Sequence, residues 1–169
     1  MRLMILGGGW SQISALRRAK ERGFQVIVAD YNPKAPACAL ADFVSTASSF
    51  SPEEVIAEAR RLRPGGILTL GTDQPVLTVA MAAAELGLPC PVDPETALAV
   101  TNKKVMKNLL SSRGIPVPAY RILTADYTDE DLTGLTFPAV TKPLDSQGQR
   151  GVFLLNTPED LPKAVPEVL

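Results

Sequence analysis

The stretch "FPAVTKPLDSQGQRGVFLL", residues 137–155, predicts two strands joined by an unusual loop. We expect the strands at residues 137–142 and 151–156, and the segment "PLDSQGQR" between them exceeds the roughly 2–5 residues of an ordinary hairpin loop. Glycines free backbone amides to converge on one point, and hydroxyl, amide and cationic groups surround them. This combination suits a polyphosphate, although composition alone allows a solvated surface turn equally well. The candidate residues are Lys142, Ser146, Gln147, Gly148, Arg150 and Gly151.

The composition predicts a globular protein without a nucleic-acid or membrane partner. The 169 residues are 46% hydrophobic with a mean hydropathy of +0.10, which is enough for a real core. Lys and Arg number 17 against 18 Asp and Glu, so no global basic field attracts nucleic acid or anionic lipid. Apolar runs fall short of the roughly 20 residues of a membrane span, and no signal-peptide core is evident. We therefore expect a cytoplasmic protein.

The sequence has two cysteines and no histidine. Neither a zinc cluster nor a Cys–His dyad can be assembled from these residues, and we interpret both cysteines as buried or idle thiols. The usual general base is also missing. Any chemistry must then use lysine, carboxylates, backbone amides or groups of the ligand itself.

The first hundred residues alternate short apolar strands with amphipathic helices. Strands are predicted at residues 2–6, 25–29, 42–46, 66–70 and 89–92, and helices are predicted at 9–22, from Pro52 to about residue 62, and at 75–86. Strands separated by helices predict right-handed crossovers and a parallel sheet covered on both faces. The fold class is therefore α/β, with a doubly wound, Rossmann-like domain at residues 1–98.

A different pattern follows this domain. Thr101 or Asn102 can cap a helix that ends at Gly114, so residues 99–114 form a connecting helix. Residues 115–169 are β-rich, with a further strand expected at 119–123. Three strands and a partial helix bury little apolar surface, so this domain is expected to be incomplete. Either another chain covers it or the polypeptide continues past Leu169, and its exposed apolar surface makes a homodimer possible.

Polar residues follow several strands of the predicted sheet. Ligands of open α/β sheets bind beyond the carboxyl ends of the strands. As a group, the residues there mark a site for a small polar substrate, and the Trp10 side chain could form one side of it. Individually, each of these residues is better explained by an ordinary role in a turn or a helix cap. These candidates are Gly8, Gly9, Asp30, Asn32, Thr72 and Asp73.

The same region permits a dinucleotide interpretation. "LGGGWSQISAL" follows the first strand and Asp30 closes the second, as pyrophosphate and ribose binding require. However, Gln12 stands where the third glycine of G-x-G-x-x-G belongs. An NAD(P)-linked oxidoreductase domain is therefore the alternative function.

The order of motifs favours another family. "TNKKVMKNLLSSRGIPVPAY" followed by "FPAVTKPLDSQGQRGV", after a doubly wound domain, resembles the N-terminal portion of the ATP-grasp ligases, which include biotin carboxylase and phosphoribosylglycinamide synthetase. The resemblance implies a pre-ATP-grasp domain and an incomplete α+β ATP-grasp lobe. It also implies that Lys103 and Lys142 reach the ATP phosphates and that the loop 146–151 closes over them. Asn102 replaces the family's Asp, and the loop has fewer glycines than that of biotin carboxylase.

The resemblance implies that the chain is part of an ATP-dependent ligase. A carboxylate would attack the γ-phosphate of ATP to give an acylphosphate, and an amine or ammonia would then displace phosphate. ATP and Mg²⁺ are the implied cofactors, but the family's acidic metal ligands belong to a second lobe, so no metal ligand or catalytic residue is assigned. We expect little or no ligase activity from the chain alone. A non-catalytic half-protein that binds nucleotide or a partner subunit is a further alternative, and the sequence does not specify which carboxylate and amine are joined.

Overall fold

The computed structural model describes residues 1–146 and 148–169. The chain divides into two compact units, Met1–Thr101 and Asn102–Leu169. Within the described residues, no helix combines the length and the apolar character that crossing a membrane requires.

The first unit is built on a four-stranded parallel sheet. Its strands are β1 (Arg2–Leu6), β2 (Gln25–Ala29), β3 (Phe43–Ser45) and β4 (Ile67–Thr69), in the spatial order β3-β2-β1-β4. β1 lies in the interior of the sheet and pairs with β2 and β4, so that Ile5 is opposite both Val28 and Leu68. β2 pairs on its other side with β3. All four strands therefore end at the same edge.

Four helices accompany the sheet. They are α1 (Ile13–Glu21), which follows a 3-10 turn at Trp10–Gln12, α2 (Pro52–Leu62), α3 (Pro75–Leu86) and α4 (Pro94–Thr101). The start of α2 follows its predicted cap, because the Ser51 hydroxyl accepts from the Glu54 amide at 3.3 Å and proline occupies the first turn.

The side chains of β1 alternate between two cores. Met4 and Leu6 face one core, which contains Val55 of α2 and Val79 of α3. Ile5 faces the other core, which contains Leu16 and Ala19 of α1. Because apolar side chains cover both faces, the predicted Rossmann-like parallel sheet is confirmed.

Two predicted strands are wrong, and one helix was missed. Residues 89–92 form no strand because Pro89 and Pro91 have no amide hydrogen to donate to a ladder. Residues 119–123 are also irregular: the Tyr120 hydroxyl instead donates to the Asn108 side chain at 2.7 Å. The helix α4 was not predicted, although the Asp93 carboxylate caps it by accepting from the Thr96 amide at 2.8 Å.

The second unit has a smaller core. It contains α5 (Lys103–Ser112), β5 (Ala139–Thr141), β6 (Phe153–Leu155) and a short α6 (Leu161–Ala164). The strands β5 and β6 pair antiparallel, as predicted for the two strands that flank the long loop. One face of this pair packs on the buried residues Leu161, Ala164 and Val165. Val140 and Leu154, which are opposite each other in the register, are 55% and 64% exposed on the other face.

The two-sided core of the first unit gives a stability prediction. Leu16→Ala should lower the free energy of unfolding by roughly 2–5 kcal/mol, because Leu16 is 1% exposed and its removal leaves a cavity. The matched variant Leu98→Ala, on α4, removes a leucine that is 39% exposed and should cost much less. Urea unfolding followed by circular dichroism measures both changes. Equal losses in the two variants would contradict the assigned core.

Candidate functional site

The Asp30 carboxylate joins the segments that follow β1 and β2. Its Oδ2 accepts from the Gly8 amide at 2.7 Å, and its Oδ1 accepts from the Asn32 amide at 2.8 Å. A carboxylate that accepts from backbone amides forms charge-assisted bonds, which are stronger than neutral ones. Asp30 therefore fixes the glycine loop against the next strand's loop, and both of its oxygens are engaged within the protein.

Gly8 is required by a close approach of the backbone. A Cβ added at this position would lie 2.7 Å from the Ala35 Cβ, and the Gly8 carbonyl accepts from the Ala37 amide at 2.8 Å. Gly9 precedes the 3-10 turn and accepts from the Gln12 amide at 3.2 Å. The two glycines thus shape the loop through their backbones.

Gln12, which stands where a dinucleotide motif has its third glycine, is a structural residue. Its side chain is 4% exposed; Nε2 donates to the Leu70 carbonyl, and Oε1 accepts from the Ser11 hydroxyl at 3.3 Å. Gln12 therefore fills the space beneath the glycine loop and joins the segments after β1 and β4. Together with the engaged Asp30 carboxylate, this arrangement counts against a dinucleotide site.

The remaining candidates lie at the same edge of the sheet. Asn32 closes an Asx turn, in which its Oδ1 accepts from the Lys34 amide at 3.1 Å. Thr72 and Asp73 lie between β4 and α3, and the Asp73 carbonyl accepts from the Val76 amide at 3.0 Å. Both also take part in further interactions within the protein. The structure therefore places all six sequence-predicted residues at the carboxyl edge, where each takes part in interactions within the protein.

Cys38 is buried close to this edge. Burial raises the pKa of its thiol, and the Asp30 carboxylate raises it further. The group therefore stays a protonated thiol at neutral pH, as expected for an idle cysteine.

In the second unit, Asn102 caps the helix that carries the first candidate lysine. Its Oδ1 accepts from the amides of Lys104 and Val105 at 3.1 and 3.2 Å. Asn is as good an N-cap as Asp. The cap explains how α5 can begin at Lys103 without the aspartate of the family pattern.

Lys103 contacts the backbone of the long loop. Its amide donates to the Leu144 carbonyl at 2.9 Å, and its ammonium donates to the carbonyls of Ser146 and Leu144 at 2.7 and 3.3 Å. The structure thus brings the first candidate lysine to the start of the candidate loop, more than 40 residues later in the chain. No sequence signal predicted contacts to these two carbonyls.

The loop itself uses residues with positive φ. Gly148 and Gly151 both have a φ of 66°, and a Cβ on Gly151 would lie 2.9 Å from the Pro143 Cγ. The Ser146 hydroxyl donates to the Arg150 carbonyl at 3.1 Å. Lys142, directly after β5, and Arg150 are exposed. The candidate Gln147 lies outside the described residues.

Comparisons with known proteins bear on the whole chain. No protein-family model matches it. Formate-dependent phosphoribosylglycinamide formyltransferase of Burkholderia mallei is 25% identical over 167 residues, which are 96% of this chain and 41% of that protein. The structure of N5-carboxyaminoimidazole ribonucleotide synthetase from Thermotoga maritima is 28% identical with a TM-score of 0.68, and the match covers 96% of this chain and 42% of that one. The chain matches the N-terminal portion of the ATP-grasp ligases.

A third ATP-grasp protein agrees in fold. The biotin carboxylase domain of Hydrogenobacter thermophilus 2-oxoglutarate carboxylase, solved as a dimer with MgADP, ADP and bicarbonate, is 18% identical with a TM-score of 0.72. The match covers 98% of this chain and 40% of that one. This chain therefore spans about two fifths of the length of these three proteins, and the predicted resemblance to the N-terminal portion of the ATP-grasp ligases is confirmed.

The Asp30 contacts give a second stability prediction. Asp30→Ala should lower the free energy of unfolding by roughly 1–3 kcal/mol, because the amides of Gly8 and Asn32 lose their acceptor. The control Glu21→Ala removes a carboxylate from an exposed ion pair with Arg18 and should change stability little. Urea unfolding measures both. If Asp30→Ala unfolded at the same urea concentration as the unsubstituted protein, Asp30 would not be what fixes the glycine loop to the loop after β2.

The Lys103 contacts give a prediction on the loop. In the absence of nucleotide, Lys103→Met should speed amide hydrogen exchange in the peptide 143–152 by about three- to tenfold, because an ammonium no longer holds the two carbonyls. Lys104→Met removes a neighbouring positive charge and should leave the exchange unchanged. Mass spectrometry of the exchanged peptide gives both rates, and identical rates would show that Lys103 does not anchor the loop.

Proposed function

We propose that this chain is the N-terminal part of an ATP-dependent ligase that joins a carboxylate to an amine or ammonia. The observation that carries the proposal is the contact of Lys103, the first residue of α5, with the strand-flanked loop at Leu144 and Ser146. The start of α5 and the strand-flanked loop are the two motifs on which the resemblance to the ATP-grasp ligases depends. The similarity to ATP-grasp ligases over nearly the whole chain supports it.

In this proposal the second unit binds the phosphates of ATP. An ammonium that already binds neutral carbonyls finds stronger acceptors in phosphate oxygens, because bonds between two charged groups are stronger. The glycines permit the loop to turn its amides toward the phosphates. The proposed ATP-binding residues are Lys103, Lys142, Ser146, Gln147, Gly148, Arg150 and Gly151.

The proposed chemistry has two steps. A carboxylate oxygen of the substrate bonds to the γ-phosphorus, the bond from that phosphorus to the β,γ-bridging oxygen breaks, and ADP leaves. The nitrogen of the amine then bonds to the acyl carbon, loses a proton and expels inorganic phosphate. Phosphoryl transfer depends mainly on positioning and on cations around the oxygens, which is the contribution proposed for the two lysines and the loop.

Mg²⁺ would neutralise the phosphate charge during transfer. The Hydrogenobacter neighbour was solved with MgADP, which supports ATP and Mg²⁺ as the cofactors of this protein. The described residues contain no group of three or more Asp, Glu or Cys side chains that could hold a metal ion. No metal ligand is therefore assigned among these residues.

The first unit would bind one of the two substrates that the reaction joins, the carboxylate or the amine. We place the Rossmann-like domain at residues 1–98, a connecting segment at 99–114 and the ATP-grasp part at 115–169. The connecting segment was predicted as one helix but contains the end of α4 and all of α5, because the extended Asn102 separates them. Gly8, Gly9, Asp30, Asn32, Thr72 and Asp73 would shape the substrate site at the carboxyl edge. We further propose a cytoplasmic enzyme that forms a homodimer, as the Hydrogenobacter domain does.

ATP binding tests the proposal. Lys142→Ala should weaken MgATP binding roughly tenfold or more, because one charge-assisted contact to phosphate is lost. Lys163→Ala removes an exposed lysine of α6 and serves as the matched control with unchanged affinity. Isothermal titration calorimetry on the intact protein gives both dissociation constants. Unchanged affinity in Lys142→Ala would overturn the proposed nucleotide site.

A further inference from the structure

An exposed, large apolar side chain lies beyond the carboxyl end of each strand of the parallel sheet. Trp10 follows β1, Tyr31 follows β2, Phe50 follows β3 and Leu70 follows β4. Their exposed fractions are 80%, 71%, 59% and 43%. We call these four residues the apolar rim.

The rim lies along a single edge of the sheet. Neighbouring strands are about 4.8 Å apart, and all four end in the same direction. The segments that carry Trp10 and Leu70 are joined by the Gln12 side chain, and the Asp30 carboxylate joins the glycine loop to the segment that carries Tyr31. The backbones that carry Trp10, Tyr31 and Leu70 are therefore fixed to one another before any ligand binds.

Large aromatic side chains are expected to be at least partly buried in a folded protein. Trp, Tyr and Phe each remove a large apolar surface from water when they are covered. An exposed apolar patch rimmed by polar groups marks a binding surface, and in an open α/β sheet the carboxyl edge is where ligands bind. The rim therefore favours a ligand that offers an apolar surface.

The charges at this edge disfavour a phosphate. The segments between each strand and the next regular element, residues 7–12, 30–42, 46–51 and 70–74, contain one cationic side chain, Lys34. The same segments contain three carboxylates, Asp30, Asp42 and Asp73, and the Asp30 carboxylate already occupies the Gly8 amide that an anion would use. A phosphorylated ligand would therefore find only one cationic side chain among these segments.

We propose that the acceptor substrate carries a large apolar or aromatic group, packed on the apolar rim, and carries no phosphate. This inference rests on the proposed function, since it specifies the substrate class of the same site. It separates this chain from a ligase for phosphoribosyl compounds, the group named in the Burkholderia relative.

Trp10 provides the assay because it is the single tryptophan in the sequence. L-phenylalanine and ribose 5-phosphate serve as probes of the two chemical classes, titrated separately into the intact protein while Trp10 emission is recorded. L-phenylalanine should change the emission in a saturable way at millimolar concentration, and ribose 5-phosphate should not. Saturable binding of ribose 5-phosphate would overturn the proposal. The absence of a saturable response to L-phenylalanine would also overturn it, and this is the result expected if a protein partner, and not a substrate, covers the rim.

Substitutions in the rim then test whether L-phenylalanine binds there. Tyr31→Ala and Phe50→Ala should each weaken the binding of L-phenylalanine about five- to tenfold. Leu40→Ala, which removes an exposed apolar side chain next to the amino end of β3, should leave it unchanged. Equal effects of all three variants would refute the rim as the binding surface.

Calorimetry with MgATP on the same variants separates the two proposals. Tyr31→Ala and Phe50→Ala should keep the affinity for nucleotide, because the proposed ATP residues belong to the second unit. Loss of L-phenylalanine binding with intact MgATP binding would support the rim. Intact binding of MgATP without any L-phenylalanine response would refute the rim alone, and failure of the Lys142 test would refute the nucleotide site.

Discussion

The pairing of β1 with both of its neighbours is the constraint on which the first unit depends. β1 is hydrogen-bonded to β2 on one side and to β4 on the other, and its alternate side chains enter two different cores. A one-residue slip would exchange the side chains of the two cores. The same register places the ends of the strands level, so the loop positions at the carboxyl edge follow from the packing of the interior.

The sequence predicted this part of the fold well because its signals were redundant. Apolar periodicity and a following glycine agree for β1, α1 and α3, and periodicity and the Ser51 cap agree for α2. The failures arose where one signal stood alone. Residues 89–92 have apolar character but contain two prolines, and residues 119–123 follow two more, and neither segment forms the predicted strand. The small residues of α4 lack a clear amphipathic stripe, and only its Asp93 cap could have revealed it.

The candidate sites were predictable to the level of segments but not of contacts. Topology rules place residues after parallel strands at one edge, so the group of Gly8, Asp30 and Asp73 follows from the strand assignment. That Asp30 is engaged by two amides, or that Gln12 fills the space beneath the glycines, depends on three-dimensional distances that no local pattern encodes. Likewise, the contact of Lys103 with Ser146 joins positions 43 residues apart.

The residues that hold the loops of the carboxyl edge in place, such as Asp30 and Gln12, differ from the residues proposed to bind the substrate. The frame of the carboxyl edge is fixed by backbone amides and carbonyls together with two polar side chains, whereas Trp10, Tyr31 and Phe50 are mostly exposed. Substitutions at the exposed positions can therefore alter what the edge binds while leaving the stability of the domain nearly untouched. Such an arrangement lets substrate preference diverge during evolution without rebuilding the fold.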